Sequence, residues 1–180
     1  RARPVSDRRE GRGSRRRRGQ LLARRPVRET VVMRGNVHTR LAKLERGEAD
    51  ATLLAAAGLD RLGLDLGVAV DLLPAPAQGA VGIEVLAGND EVRALVAAID
   101  HVATHRCVAV ERAFLAALGG DCRSAVAAQA RCDPGTVALR AEILPPDGGQ
   151  GEAGRSGGPA ALARELLVRA SPALRALFAP

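Results

Sequence analysis

The spacing of apolar positions changes several times along the 180 residues. Residues 1–14 show no period and predict no element. Residues 15–25 predict a short helix that ends before Pro26. Residues 29–34 (ETVVMR) read as a short strand of β-branched side chains. Arg34-Gly35-Asn36-Val37 breaks that strand, and Thr39 is the expected N-cap of a helix through Leu41 and Leu44 that Gly47 closes. Residues 51–55 (ATLLA) predict a buried strand, and 56–62 a helical turn. Strand–helix–strand–helix over 29–62 is the sequence form of a parallel α/β unit.

Residues 73–79 (LPAPAQG) interrupt regular structure, because the two prolines fix φ and remove donors. A strand is expected over 80–86. Asn89 or Asp90 then caps a helix with Val92, Leu95, Val96 and Ile99 on one face. A longer helix over 101–118 carries Val102, Val108, Phe114, Leu115 and Leu118 at helical spacing and stops at Gly119-Gly120. Strands are expected over 125–131 and 136–144, with a turn over 145–149 and a Gly-rich loop over 150–158. A last helix over 159–170 has Leu162, Leu166 and Leu167 as its buried stripe. The second half is therefore α+β. Three regions are expected: an Arg-rich, divergent or disordered start over 1–28, an α/β domain over 29–88, and a helical connection with an α+β domain over 89–180.

An apolar share of 47% excludes a wholly disordered chain. No apolar run reaches the roughly 18 residues of a membrane span, and none follows the basic start as in a signal peptide, so a soluble, non-secreted protein is expected. Phe114 and Phe178 are the only aromatic residues, which removes the stacking platforms of single-strand nucleic-acid binders. The net charge of +7 is concentrated in residues 1–28, where twelve arginines face Asp7 and Glu10. Their run Arg15–Arg18 reads as a solvated stretch or as a contact for a polyanion. Cys107, Cys122 and Cys132 are an odd count with no CxxC pair, which argues against a disulfide framework and a zinc site and fits a reducing compartment. His101 and His105 stand four apart without a third ligand, so no metal site is expected.

Two segments carry candidate chemistry. In Arg34-Gly35-Asn36-Val37-His38-Thr39-Arg40 a strand end meets a helix start, where free backbone N–H groups favour an anion and the arginines can grip carboxylates or phosphates. The plain alternative is a tight turn with two solvated arginines. In Gly119-Gly120-Asp121-Cys122-Arg123-Ser124 a cysteine follows flexible glycines and is expected to be exposed. Arg123 there would favour its thiolate, suiting a nucleophile, a redox sensor or a point of cofactor attachment. The plain alternative is an inert surface cysteine. Cys107 and Cys132 are expected to be packing residues.

Three motifs in order, RGNVHTRLAKLERGEADATLLAAAGLDRLGL (34–64), LPAPAQGAVGIE (73–84) and AVERAFLAALGGDC (109–122), make the chain resemble the hydroxymethylbilane synthase (porphobilinogen deaminase) family. The resemblance runs over about residues 14–180 and matches the C-terminal part of that enzyme. It implies a partial periplasmic-binding-protein-like α/β domain followed by a small α+β domain with a three-stranded antiparallel sheet. It also implies a dipyrromethane cofactor joined by a thioether to Cys122. Porphobilinogen and the growing oligopyrrole are the implied partners, in a cytoplasmic monomer that makes hydroxymethylbilane from four porphobilinogens with loss of ammonia. Arg34 and Arg40 match positions that bind acetate and propionate groups; Ala55, Gly58 and Arg61 match a cleft segment. Ser14, Arg16 and Arg17 match the end of a Gly-Thr-Ser-Ser-x-Arg-Arg loop, written here as Gly11-Arg12-Gly13-Ser14-Arg15-Arg16-Arg17.

Each pyrrole carries two carboxylates, so an oligopyrrole brings many negative charges, each costing several kcal/mol to desolvate unpaired. Clustered arginines answer that need. In the family the catalytic Asp and a neighbouring Lys belong to a first domain outside these residues, so no catalytic residue is assigned here and the chain alone is expected to have no turnover. Two other readings remain: a non-catalytic anion-binding module on the same scaffold, and an Arg-rich nucleic-acid binder using residues 1–28. The missing aromatics disfavour nucleic acid.

Overall fold

The computed structural model describes residues 9–24, 29–145 and 147–178. These divide between two compact units, one within residues 1–72 and 144–150, the other within 73–143 and 151–180. Pro26, the expected helix stop, lies outside the described residues.

The first unit is a parallel α/β arrangement. Strand β1 (Arg9–Arg12) leads to helix α1 (Arg15–Arg24), β2 (Glu29–Val32) to α2 (Val37–Glu45), and the short β3 (Ala51–Thr52) to α3 (Ala56–Arg61). The sheet order is β2-β1-β3, with both pairings parallel. The central strand, REGR, falls where the pattern predicts no element. It has no β-branched or aromatic residue, and the strand exists because neighbours on both sides supply its ladder, a tertiary override of weak local preference. Thr52 reinforces this by donating its hydroxyl to the Gly11 carbonyl at 3.1 Å. Leu22, Met33, Ala49 and Leu144 are buried in this unit. The arginine run is not uniformly solvated, since Arg16 is only 5% exposed.

Helix α2 begins differently from expectation. Asn36, not Thr39, is its N-cap, and the Asn36 Oδ1 accepts from the Thr39 N–H at 2.9 Å. At the other end Gly47 N–H reaches Leu44 O at 2.8 Å and Glu48 N–H reaches Lys43 O at 3.0 Å, the Schellman closure expected of that glycine.

The second unit has an antiparallel sheet, β4 (Val126–Asp133), β5 (Thr136–Ile143) and β6 (Glu152–Ser156), in the order β4-β5-β6. Strand β6 replaces the expected loop over 150–158; its EAGRS sequence is legible as a strand only through its pairing with β5. Helices α5 (Val102–Ala117), α6 (Pro159–Arg169) and α7 (Pro172–Arg175) accompany the sheet. Phe114, Leu118, Leu139, Ile143, Leu162, Leu166, Leu174 and Phe178 form one core with the small alanines of β4 and β5. α7 is an element that the pattern does not predict.

Helix α4 (Asp90–Ala97) is capped by Asn89 as expected, and Leu95 and Ile99 are exposed. The strand expected over 80–86 does not form. Among the described residues no strand pairs with it, and Val81, Ile83 and Leu86 are exposed. Apolar alternation alone cannot make a strand that lacks a ladder partner.

Candidate functional site

The three strands of the first unit run parallel, so their C-terminal ends open at one edge of the sheet, each into a loop that starts a helix. In such sheets the ends of the strands, beside helix N-termini, are where ligands bind. β1 is flanked on either side, and the chain crosses from β2 to β3 over it, so the loop after β1 lies at the change of direction.

Ser14, Arg16 and Arg17 lie on the β1–α1 loop and first turn. The Ser14 hydroxyl accepts from the Arg17 N–H at 3.5 Å, and its carbonyl accepts from the Arg18 N–H at 3.0 Å. Arg16 is buried, so it is not offered to solvent as expected, whereas Arg17 is half-buried. On the β2–α2 turn, Gly35 has φ +119, and an added Cβ would lie 2.6 Å from Thr39 Cγ2. Both facts demand glycine there. Arg34 is exposed beside it. Ala55, an exposed residue, precedes α3 without a side-chain cap, and Gly58 lies in the first turn with Val37 as its near neighbour. Arg61 stands at the opposite end of α3, exposed.

Arg40 joins these loops. Its Nε donates to the Gly35 carbonyl at 2.9 Å and its Nη1 to the Leu53 carbonyl at 3.5 Å. An added Cβ on Gly13 would lie 3.2 Å from Arg40 Nη2, so the guanidinium also rests against the loop after β1. One cation therefore touches all three strand-to-helix loops. Burial, and then the positive charge of Arg40, lower the pKa of Arg17. Two like charges held close beside the start of α1 form a cradle for anionic groups such as carboxylates.

Cys122 sits in the second unit, exposed as expected, on the turn between α5 and β4. Gly119 takes φ +66 and closes α5, with Gly120 N–H bonded to Leu115 O at 3.0 Å. Asp121 organises the turn. Its Oδ1 accepts from the backbone N–H of Arg123 at 2.8 Å and of Ser124 at 3.1 Å, and its own N–H donates to Ser124 Oγ at 3.0 Å. The Arg123 N–H, with help from Ser124 and the Arg123 guanidinium, holds the Asp121 carboxyl below its ordinary value. Arg123, expected to act on the thiol, instead pairs with Asp121 at 3.4 Å.

Sequence reasoning missed Glu111, a buried carboxylate on α5. Its Oε1 accepts from the Ala130 N–H at 2.7 Å and its Oε2 from the Ala77 N–H at 2.6 Å. The Ala128 N–H of β4 likewise reaches the Pro74 carbonyl at 2.9 Å. The edge of β4 away from β5 is thus covered by the LPAPAQG segment and by Glu111. A charged residue between apolar helix neighbours was the only signal for it. Among the described residues no cluster of His, Cys, Asp or Glu could hold a metal, and no helix is long and apolar enough to cross a membrane.

Arginines gathered on the strand ends of a parallel sheet, and an exposed thiol on a turn of a separate α+β unit, are the two chemical features that the fold sets out. Residues 7–94 match the family model described as "Porphobilinogen deaminase, dipyromethane cofactor binding domain", and residues 105–174 the one described as "Porphobilinogen deaminase, C-terminal domain". The porphobilinogen deaminase of Sphingopyxis alaskensis is 54% identical over 179 residues, covering 94% of this chain and 57% of that protein. Those of Bordetella parapertussis and Bordetella bronchiseptica are each 47% identical over 143 residues, covering 77% of this chain and 46% of theirs. The chain belongs to the porphobilinogen deaminase family, whose cofactor is dipyrromethane, and spans about half the length of the relatives it matches.

Proposed function

We propose that this chain is the cofactor-carrying portion of a hydroxymethylbilane synthase, a transferase of tetrapyrrole biosynthesis that joins four porphobilinogens head to tail with release of ammonia. The carrying observation is Arg40, one guanidinium set against three strand-to-helix loops with Arg17 beside it. The donor set suits dipyrromethane. A polycarboxylate needs clustered cations, and a thioether needs an accessible sulfur on a turn held in shape without it. Cys122 is the proposed attachment point. When bound, dipyrromethane supplies the primer to which porphobilinogen units are joined.

The residues of this chain bind and orient. Arg17, Arg34 and Arg40 offset carboxylate charge, and Ser14, Ala55 and Gly58 complete the proposed carboxylate-binding segment, with Arg61 apart from it at the far end of α3. Buried Arg16 positions α1. Asp121 and Ser124 fix the turn that presents the thiol. In this reading the α/β unit is part of a periplasmic-binding-protein-like domain, and the protein is a cytoplasmic monomer.

Reaction of the purified chain with Ehrlich's reagent, with intact mass measured before and after Cys122→Ser, tests the attachment. A pyrrole adduct lost with that sulfur supports it; an adduct that survives the substitution overturns it.

A further inference from the structure

Cys107 and Cys132 were expected to be simple packing residues. They lie 25 positions apart, on α5 and β4, yet the Cys107 Sγ donates to the Cys132 Sγ at 3.2 Å, and the Cys132 Sγ donates to the Ala103 carbonyl at 3.4 Å. Both are free thiols and both are half-buried. They stand on packed, regular elements. Cys132 is fixed by the ladder opposite Val137, and Cys107 packs against the core of the unit. A disulfide needs the two sulfurs about 2 Å apart, roughly 1 Å less than their present separation. Cys122 shares none of this, being exposed on its own turn.

We propose that Cys107 and Cys132 form a reversible dithiol–disulfide couple that reacts with hydroperoxides, a modification site separate from the thiol at Cys122. Burial, with the contact to Cys132, pushes the Cys107 thiol up to about 11. One sulfur of the pair, as its thiolate, takes one oxygen of hydrogen peroxide, the O–O bond breaks, and hydroxide leaves as water after protonation. The second thiol next attacks the sulfenic sulfur of the first. The S–S bond forms, the S–O bond breaks, and the departing hydroxide takes the second thiol's proton as a second water. Two thiols and one peroxide give one disulfide and two waters. The bond would tie α5 to β4, the two elements between which the Cys122 turn is hung.

The test uses the reduced 180-residue chain, freed of reductant and treated with equimolar hydrogen peroxide. It is then denatured, alkylated with iodoacetamide and mapped by mass spectrometry. The expected product is a chain lighter by two hydrogens, with alkylatable thiols falling from three to one and a dithiothreitol-sensitive link between the Cys107 and Cys132 peptides. Cys122→Ser should keep that link. Cys107→Ser and Cys132→Ser should each lose it. Full alkylation of Cys107 and Cys132 after peroxide overturns the proposal, and so does a link made through Cys122 or over-oxidation of Cys132 in the native chain without a link.

Discussion

Removing the Glu111 carboxylate is the most informative perturbation of the thiol-bearing unit. Its two oxygens receive backbone N–H groups from two separate segments, Ala77 in the LPAPAQG loop and Ala130 in β4. Hydrogen bonds to a charged acceptor contribute about 1.5–3 kcal/mol each, and donors left buried without a partner cost about 1–3 kcal/mol each. Removing the buried charge itself returns part of this, so Glu111→Ala should lower stability by about 3 kcal/mol, and Glu111→Gln, which keeps one acceptor oxygen, by about half as much. The chain has no Trp or Tyr, so urea unfolding is best followed by far-ultraviolet circular dichroism. With a slope of about 2 kcal/mol/M the Ala variant should lose about 1.5 M in midpoint. Hydrogen exchange at the Ala77 and Ala130 amides should quicken in the same variant. A midpoint loss under about 0.5 M, or equal losses for Ala and Gln, would refute the assignment of Glu111 as a two-segment acceptor.

Two further expectations concern backbone and titration. Ala77 sits at φ +58, a left-handed conformation that costs a residue with a Cβ about 1 kcal/mol, so Ala77→Gly should stabilise the unit by about 0.5–1 kcal/mol in the same unfolding assay, and destabilisation would contradict it. Asp121 has a depressed folded pKa, so its contribution to the Cys122 turn is complete above the unfolded value near 3.8 and is lost as pH falls through the lower folded value. The Arg123 amide resonance should therefore titrate with a midpoint below 3.8, and a midpoint at or above that value would contradict the capping geometry.

What could be read from the sequence was whatever is specified locally. The Gly47 closure, the Asn89 cap and the long helix ending at Gly119-Gly120 depend on residues within a few positions of one another, and all three form. β1 and β6 could not be read, because REGR and EAGRS become strands only through pairing with β2 and β3 and with β5. The converse failure is the segment 80–86, which has strand-like alternation but no partner among the described residues. Thr39 was a reasonable cap, yet Asn36 lies nearer the end of β2 and has an equally good acceptor. At the candidate site the arginines on the loop after β2 and the exposed thiol were legible from glycines beside functional residues. The position of Arg40 across three loops was not, since it depends on the parallel order of strands. The same holds for Glu111 and for the approach of Cys107 to Cys132.

The central claim is that Arg17 and Arg40 grip carboxylates at the strand ends. Calorimetric titration of the chain with porphobilinogen, repeated for Arg17→Gln and Arg40→Gln, tests it most directly. The account predicts saturable binding that weakens with salt and falls about tenfold or more in each variant, as expected for loss of one charge-assisted contact of about 1.5–3 kcal/mol. Binding of equal strength in the native chain and both variants would contradict it.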